Sequence, residues 1–293
     1  MIDLNAYVQS FLKEYTPGDR PEQAENGLAL DGCIGLYGAT GDGRYREAVL
    51  RGLAERTWKD TDGMALLFAL DETGEKRYEE EAVRALTKQV RERLQAGKEM
   101  PPEELRALMP VVMACEMRFD RMAHVGDVTA QFRLVRALCF DEETGLYFSG
   151  SDNTIRDEGM LLAALVDCID LCSQELYEHW RALVDLFREA VRGLMPYQDK
   201  ITGLFRFHAG QAAEDAVPDM QGSALAAYAL LKGARLSVLN PEWYLPLGRK
   251  ALAGLAEHPL RAGGADEGAL MMAWAEYLRG ERKSSEVKHD GTI

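Results

Sequence analysis

The strongest constraint in this chain is a short phrase that recurs. Asn26-Gly27-Leu28, Asp62-Gly63-Met64, Glu158-Gly159-Met160, Gln221-Gly222-Ser223 and Glu267-Gly268-Ala269 each stand just before an apolar run of helical character. Self-similarity of this kind marks an array of like units, none of which can bury its apolar face alone. Function is then expected where those helices begin.

Two helix types alternate along the array. Residues 28–38, 64–70, 105–117, 160–172, 224–236 and 269–278 are apolar almost all round, so other elements must enclose them. Residues 44–56, 76–94, 127–139, 177–195 and 242–256 are one-faced. In the 177–195 run Trp180, Leu183, Val184, Phe187, Val191 and Leu194 fall at helical spacing among charged residues. With an amphipathic helix at 4–15, the pattern predicts six inner and six outer helices.

The joints repeat as well. Leu36 to Tyr45 is echoed 33 residues later by Ala69 to Tyr78, with Gly126-Asp127 a fainter third copy. A Gly supplies a left-handed C-cap, and the following Asp or Glu favours the next helix start. The opposite joints are longer. Asp141-Glu142-Glu143-Thr144-Gly145-Leu146-Tyr147-Phe148 and the run from Asp199 to Phe207 lie 58 residues apart, each a turn leading into a short strand or hairpin edge.

Closing six helical hairpins gives an all-α (α/α)6 barrel, a six-hairpin toroid with short β segments in the loops at the active-site end; an open α-superhelix is the rival. A single toroid is expected over 1–280, then a polar tail over 281–293. The inner helices run parallel, so their N-termini converge on one mouth, a setting suited to a carboxylate.

Composition narrows the function classes. The net charge is -14, from 34 Lys and Arg against 48 Asp and Glu, with no dense basic cluster, which argues against nucleic acid and anionic membranes. Cys33, Cys115, Cys139, Cys168 and Cys172 lie in apolar runs without paired spacing and read as buried thiols. With no basic-apolar leader and no long uncharged apolar run, a cytoplasmic protein is expected. Nucleotide, serine-hydrolase and zinc motifs are missing, and no metal or other cofactor is expected.

Asp60, Asp62, Asp152, Asp157, Glu158, Asp215, Asp219, Asp266 and Glu267 fall around the expected mouth. Capping accounts for most of them. Asp152 differs, because Thr154 is a separate cap candidate with Asp157 at its N3 position; Asp152 is the candidate general acid, with an Asx-turn as the alternative. Arg156, Arg206 and His208 offer positive or donor groups to an anionic substrate, and surface pairing is the alternative. Tyr147, Phe148, Phe205 and Phe207 suit a sugar face or loop packing.

The runs NGLALDGCIGLYGATGDGRY from Asn26, DEETGLYFSGSD from Asp141, R-D-E-G-M from Arg156, YQDKITGLF from Tyr197 and DMQGSALAAYALLKGARLSVL from Asp219 resemble the unsaturated glucuronyl and rhamnogalacturonyl hydrolases, glycoside hydrolase families 88 and 105. The resemblance implies an (α/α)6 barrel that acts on 4,5-unsaturated uronic acids. An aspartic acid would protonate the double bond and direct water to C5, after which the hemiketal opens and the neighbouring sugar leaves. The family's tG-L-f-y-H-g-w-D pattern places that Asp on Asp152, and the substrate-binding set becomes Arg156, Asp157, His208, Arg206, Asp219 and Tyr147. Departures accompany it: Ser149 and Ser151 replace the usual His and Trp, R-G-N-G-W reads Arg156-Asp157-Glu158-Gly159-Met160, and a second Asp, in W-x-D-x-x-y-M, is replaced by Met109 when Leu105 to Met113 is aligned on its final Met. Two readings stay open, a divergent hydrolase or a catalytically degenerate toroid that binds a saccharide or a protein; a homodimer is compatible with both.

Overall fold

The structure is a computed structural model that describes residues 3–14, 27–54, 58–79, 97–119, 123–207, 217–258 and 265–290. Its inner helices are α2 (Leu28–Thr40), α4 (Gly63–Thr73), α5 (Pro102–Arg118), α7 (Thr154–Leu171), α9 (Met220–Arg235) and α11 (Ala265–Asp290). Among the described residues the outer helices are α1 (Leu4–Glu14), α3 (Gly43–Ala54), α6 (Val125–Cys139), α8 (Tyr177–Leu194) and α10 (Pro241–Glu257), and the outer helix expected over 76–94 lies outside the described residues beyond residue 79. The inner helices touch in the order α2, α4, α5, α7, α9, α11 and back to α2, so the array closes. Helix α3 packs on α2 and α4, α6 on α5, α8 on α7, and α10 on α9 and α11. The toroid stands and the superhelix falls, because the contact between α11 and α2 joins the two ends of the array.

The alternation of helix types follows the burial. Helix α9 is buried continuously from Gln221 to Ala234, whereas α8 buries a single face carrying Leu183, Val184, Phe187, Val191 and Leu194. Helix α11 continues through Asp290, past the boundary expected at residue 281.

In its later copies the recurring Gly has a different reason from the one its position suggests. Helix α7 starts at Thr154, ahead of Gly159, and α9 and α11 start ahead of Gly222 and Gly268. These glycines sit where neighbouring inner helices meet. A Cβ on Gly222 would lie 2.5 Å from the Ile155 side chain, and one on Gly268 would lie 2.5 Å from the Leu28 backbone. At Gly27, the N-cap of α2, and Gly63, the first residue of α4, the phrase marks a helix start; at Gly159, Gly222 and Gly268 it marks close helix packing.

The tight joints form as expected at two of three places. Gly41 and Gly74 are left-handed C-caps, donating to the Tyr37 and Leu70 carbonyls at 2.8 Å each. Gly126 instead lies inside α6, which begins one residue earlier. The expected β segments shrink to one antiparallel bridge, Gln198 with Phe205, among the described residues. Leu146 to Phe148 pairs with no strand, because a side chain takes its backbone donors.

The inner helices are less apolar than their sequences suggest. Asp31, Arg106, Asp167, Lys232 and Glu276 each interrupt an otherwise apolar run and point toward the barrel axis or its far end, where they pair with one another or with rim arginines. Burial pushes Asp31 up to about 6 even with Arg106 beside it. Burial also acts on Asp167, but Lys232 and Arg106 outweigh it and hold that carboxyl below its ordinary range. No helix among the described residues is long and apolar enough to cross a membrane.

Candidate active site

Two nearly identical turns build the described rim of the mouth. Asp141 accepts from the Glu143 amide at 3.0 Å and the Thr144 hydroxyl at 2.9 Å, and its amide donates to the Leu146 carbonyl at 2.8 Å. Asp199 accepts from the Ile201 and Thr202 amides at 2.9 and 2.7 Å, and its amide donates to Leu204 at 2.8 Å. Gly145 and Gly203, at φ 73° and 77°, let each chain reverse. The backbone N–H bonds at Thr202, with its hydroxyl and Arg206, keep Asp199 ionised down to about 2.

After the first turn the chain is held by Glu158. The Glu158 carboxyl accepts the Tyr147 amide through a short contact and the Phe148 amide at 2.9 Å, both on Oε1. Its Oε2 finds no partner, and the side chain is fully buried. Burial pushes the group up to about 8, although the two amides favour its charged form. At neutral pH it is mainly a neutral carboxyl, its carbonyl oxygen serving two backbone donors.

The loop then rises to Asp152. This residue is exposed and its carboxylate bonds to no described residue. Asn153, not Thr154, is the N-cap of α7, and it makes no side-chain cap bond. The Thr154 hydroxyl instead donates backward to the Phe148 and Ser151 carbonyls, at 3.1 and 2.5 Å. Asp157 leaves the capping role too: it is buried, it accepts from the Ser151 hydroxyl, and burial raises its carboxyl above the ordinary range.

Arg156 is half-buried on the first turn of α7. Its nearest carboxylates, Glu103 and Asp157, stand at 3.8 and 4.0 Å, too far for hydrogen bonds, and its Nε has no acceptor. Arg206, by contrast, is tied to Asp199 of the second turn. Asp219 caps α9, accepting from the Gly222 amide at 2.7 Å. Tyr147 is buried against Phe140, and its hydroxyl donates to Glu189 of α8 at 2.9 Å. His208 and Asp215 lie outside the described residues, as does the Asp60 side chain.

The structure thus brings Arg156, Asp157 and Asp152 to one helix start, while Tyr147, Arg206 and Asp219 make contacts with the scaffold. Beneath them, among the described residues, lies a small cavity. Met160 is buried, and with Met64, Thr61, Ala107 and Arg106 it lines a cavity of only about 20 Å³. Met109 is fully buried and lines no part of it.

Glu158 is the residue that sequence reading undervalued. The available signal was a charged letter followed by Gly inside an apolar helix, where a carboxyl must find buried donors. The letters W-x-D-x-x-x-M, sought at Leu105 to Met113, are in fact spelled by Trp58, Asp60 and Met64. They lie where the chain enters α4, with the Trp58 indole donating to the Leu53 carbonyl at 2.9 Å.

Solved structures of low identity share this architecture. A family 105 glycoside hydrolase of C. acetobutylicum ATCC 824 superposes with a TM-score of 0.74 at 18% identity, covering 94% of this chain and 99% of that one. A family 88 glycosyl hydrolase from Bacteroides vulgatus gives 0.74 at 16%, covering 94% and 97%. An unsaturated glucuronyl hydrolase specific for heparin gives 0.60 at 12%, covering 95% and 96%. No protein of curated function matches the chain in sequence. The family model for Glycosyl Hydrolase Family 88 matches residues 4–273, nearly the whole toroid, and the chain belongs to that family.

Proposed function

We propose that the chain is a glycoside hydrolase that removes a terminal 4,5-unsaturated uronic acid from an oligosaccharide, with Asp152 as proton donor and Arg156 holding the uronate carboxylate. Arg156 carries the reading. A guanidinium short of acceptors, at a helix start where free N–H groups also favour negative charge, is prepared for a carboxylate ligand. Family membership and the shared fold of the heparin-specific unsaturated glucuronyl hydrolase support the substrate class.

In this reading the Asp152 carboxyl gives its proton to C4, and the electron pair of the double bond forms the new C–H bond. Positive charge develops at C5, shared with the ring oxygen. The Asp152 carboxylate then takes a proton from water as the water oxygen bonds to C5. The hemiketal so formed opens and the neighbouring sugar leaves. Asp157 borders the bound carboxylate and sets how tightly Arg156 holds it, while His208, next in the chain after Phe207, is a candidate sugar contact.

One observation favours a second reading, a toroid that binds a saccharide without turning it over: Met64 and Met160 leave only about 20 Å³ beneath the described part of the mouth. Incubation with unsaturated uronyl disaccharides, following loss of the double-bond ultraviolet absorbance, separates the two. Turnover that falls at least about 100-fold in Asp152→Asn supports the hydrolase, since general acids contribute roughly 10² to 10⁴ in rate. Turnover untouched by that substitution removes Asp152 from the mechanism, and binding without turnover by the wild type establishes the second reading.

A further inference from the structure

A larger cavity, of about 200 Å³, occupies the barrel axis on the other side of Arg106 from the mouth. Arg106, Asp31 and Met64 border both cavities and so separate them. From there the larger one runs toward the C-terminal ends of the inner helices, reaching Asp170 and Leu171 in the last turn of α7 and Lys232 in the last turn of α9. Exposure rises the same way. The side chains of Arg106, Asp167 and Lys232 are 6 to 9% exposed, whereas Asp170 and Arg279 are 33% and 32% exposed, so the cavity opens at the end opposite the mouth.

Its walls are charged but balanced. Asp31, Asp167, Asp170 and Glu276 supply four carboxyl groups. Arg106, Lys232 and Arg279 answer them, with Arg235 closing on Glu276 at 2.6 Å from the rim. Four against four leaves no net charge to attract an ion. Lys232 gives its donors to Asp167, Asp170 and the Tyr228 hydroxyl at 2.8, 2.9 and 3.2 Å, and the buried Nε of Arg106 is left without an acceptor. Acceptors are in surplus, since each carboxylate offers about four lone-pair directions and the bonds within the cluster use roughly half of them. Ile34, Leu171, Met272 and Ala275 provide apolar surface beside these groups.

Such a cluster is poor construction if packing alone is its purpose. Buried ion pairs recover their desolvation cost only with good geometry, and well-packed apolar residues of equal volume are often more stable. At the mouth side of Arg106, Met64 and Met160 supply apolar wall to the small cavity among the described residues. An unfilled volume with surplus acceptors, balanced charge and an apolar flank suits a neutral ligand rich in hydroxyl donors. The volume lies below the roughly 300–1,000 Å³ typical of drug-sized ligands, which limits it to about one ring.

We propose that this axial cavity is a second binding site, entered from the C-terminal ends of the inner helices, for a neutral polyhydroxylated molecule the size of a single sugar ring. Its hydroxyls donate to the carboxylates of Asp31, Asp170 and Glu276, and its C–H face lies on Met272 and Ala275. The site is independent of turnover at the mouth.

The test is a binding titration of the full chain by calorimetry and ligand-observed NMR. The probes are glucose, galactose, rhamnose and xylose, beside glucuronate and inorganic phosphate as anionic controls. Ala275→Leu is expected to fill the cavity and weaken neutral-sugar binding at least tenfold. Asp170→Asn, at the rim and without added bulk, is expected to weaken it about threefold, which keeps the test open if the first variant does not fold. Asp152→Asn and Arg156→Gln, at the mouth, are expected to leave it unchanged. The proposal is overturned by no neutral-sugar binding at tens of millimolar, by tighter binding of the anions that Asp170→Asn alters and Arg156→Gln does not, or by neutral-sugar binding that the mouth variants abolish and Asp170→Asn does not.

Discussion

The turn that leads to Asp152 and its copy 58 residues later differ in what holds them after the reversal. Both use the same Asp, Thr and Gly, and both dock on a glycine of an outer helix. A Cβ on Gly193 of α8 would lie 1.8 Å from the Gly145 carbonyl oxygen, and one on Gly254 of α10 would lie 2.1 Å from that of Thr202. Beyond the turn they diverge. In the first copy the Tyr147 and Phe148 amides converge on the Glu158 carboxyl; in the second the Phe205 amide donates to the Ser223 hydroxyl at 2.9 Å, and a bridge to Gln198 adds support. The loop bearing the candidate acid therefore hangs on an ionisable group, and its copy hangs on one that never titrates in the working range.

Glu158→Ala tests that difference most severely. It orphans two buried N–H groups at about 1–3 kcal/mol each, and urea unfolding is expected to show a loss of roughly 3 kcal/mol or more. Gly193→Ala and Gly254→Ala come next, each costing about 1–3 kcal/mol through backbone displacement; similar values for both would show that the copies dock alike. Ser223→Ala orphans a single amide and is expected to cost about 1–2 kcal/mol, less than Glu158→Ala by the same measurement. If the two losses are equal, the contrast drawn between the anchors is wrong.

The smallest change sharpens the comparison most. Glu158→Gln keeps the accepting oxygen, so at pH 5 it is expected to alter stability by less than about 1 kcal/mol. Its signature lies in the pH dependence. The folded-state value for Glu158 is raised from 4.5 to about 8, so between those values the folded protein holds a proton that the unfolded chain has released. Stability from this group is complete below 4.5 and is lost as pH rises toward 8, by at most about 1.4 kcal/mol per pH unit. Melting temperatures from pH 5 to 8 should fall more steeply for the wild type than for Glu158→Gln. Parallel curves would show that Glu158 is ionised throughout.

The two ends of the barrel repeat this lesson at larger scale. Legible in the sequence were the helical array, from its period; the Gly41 and Gly74 caps, from a Gly beside an acidic residue; and the paired turns, from D-x-x-T-G-L written twice. Each is a local rule that nearby residues enforce. The anchoring role of Glu158 was not legible, because its partners are amides 10 and 11 residues away. Nor were the contacts of Arg206, Asp219 and Tyr147, which pair with Asp199, cap α9 and pack against Phe140.

By itself, then, the sequence determined the helical alternation and the paired turns, since hydrophobic period and turn chemistry act over a few residues, while the contact of α11 with α2 decided that the array closes. Only the tertiary structure decided which charges meet. Asp31, Arg106, Asp167, Lys232 and Glu276 are scattered over five helices, and nothing in the spacing of any one helix orders them around an axis. Ring closure does so, because a charge buried in an apolar helix must find its partner on a neighbour.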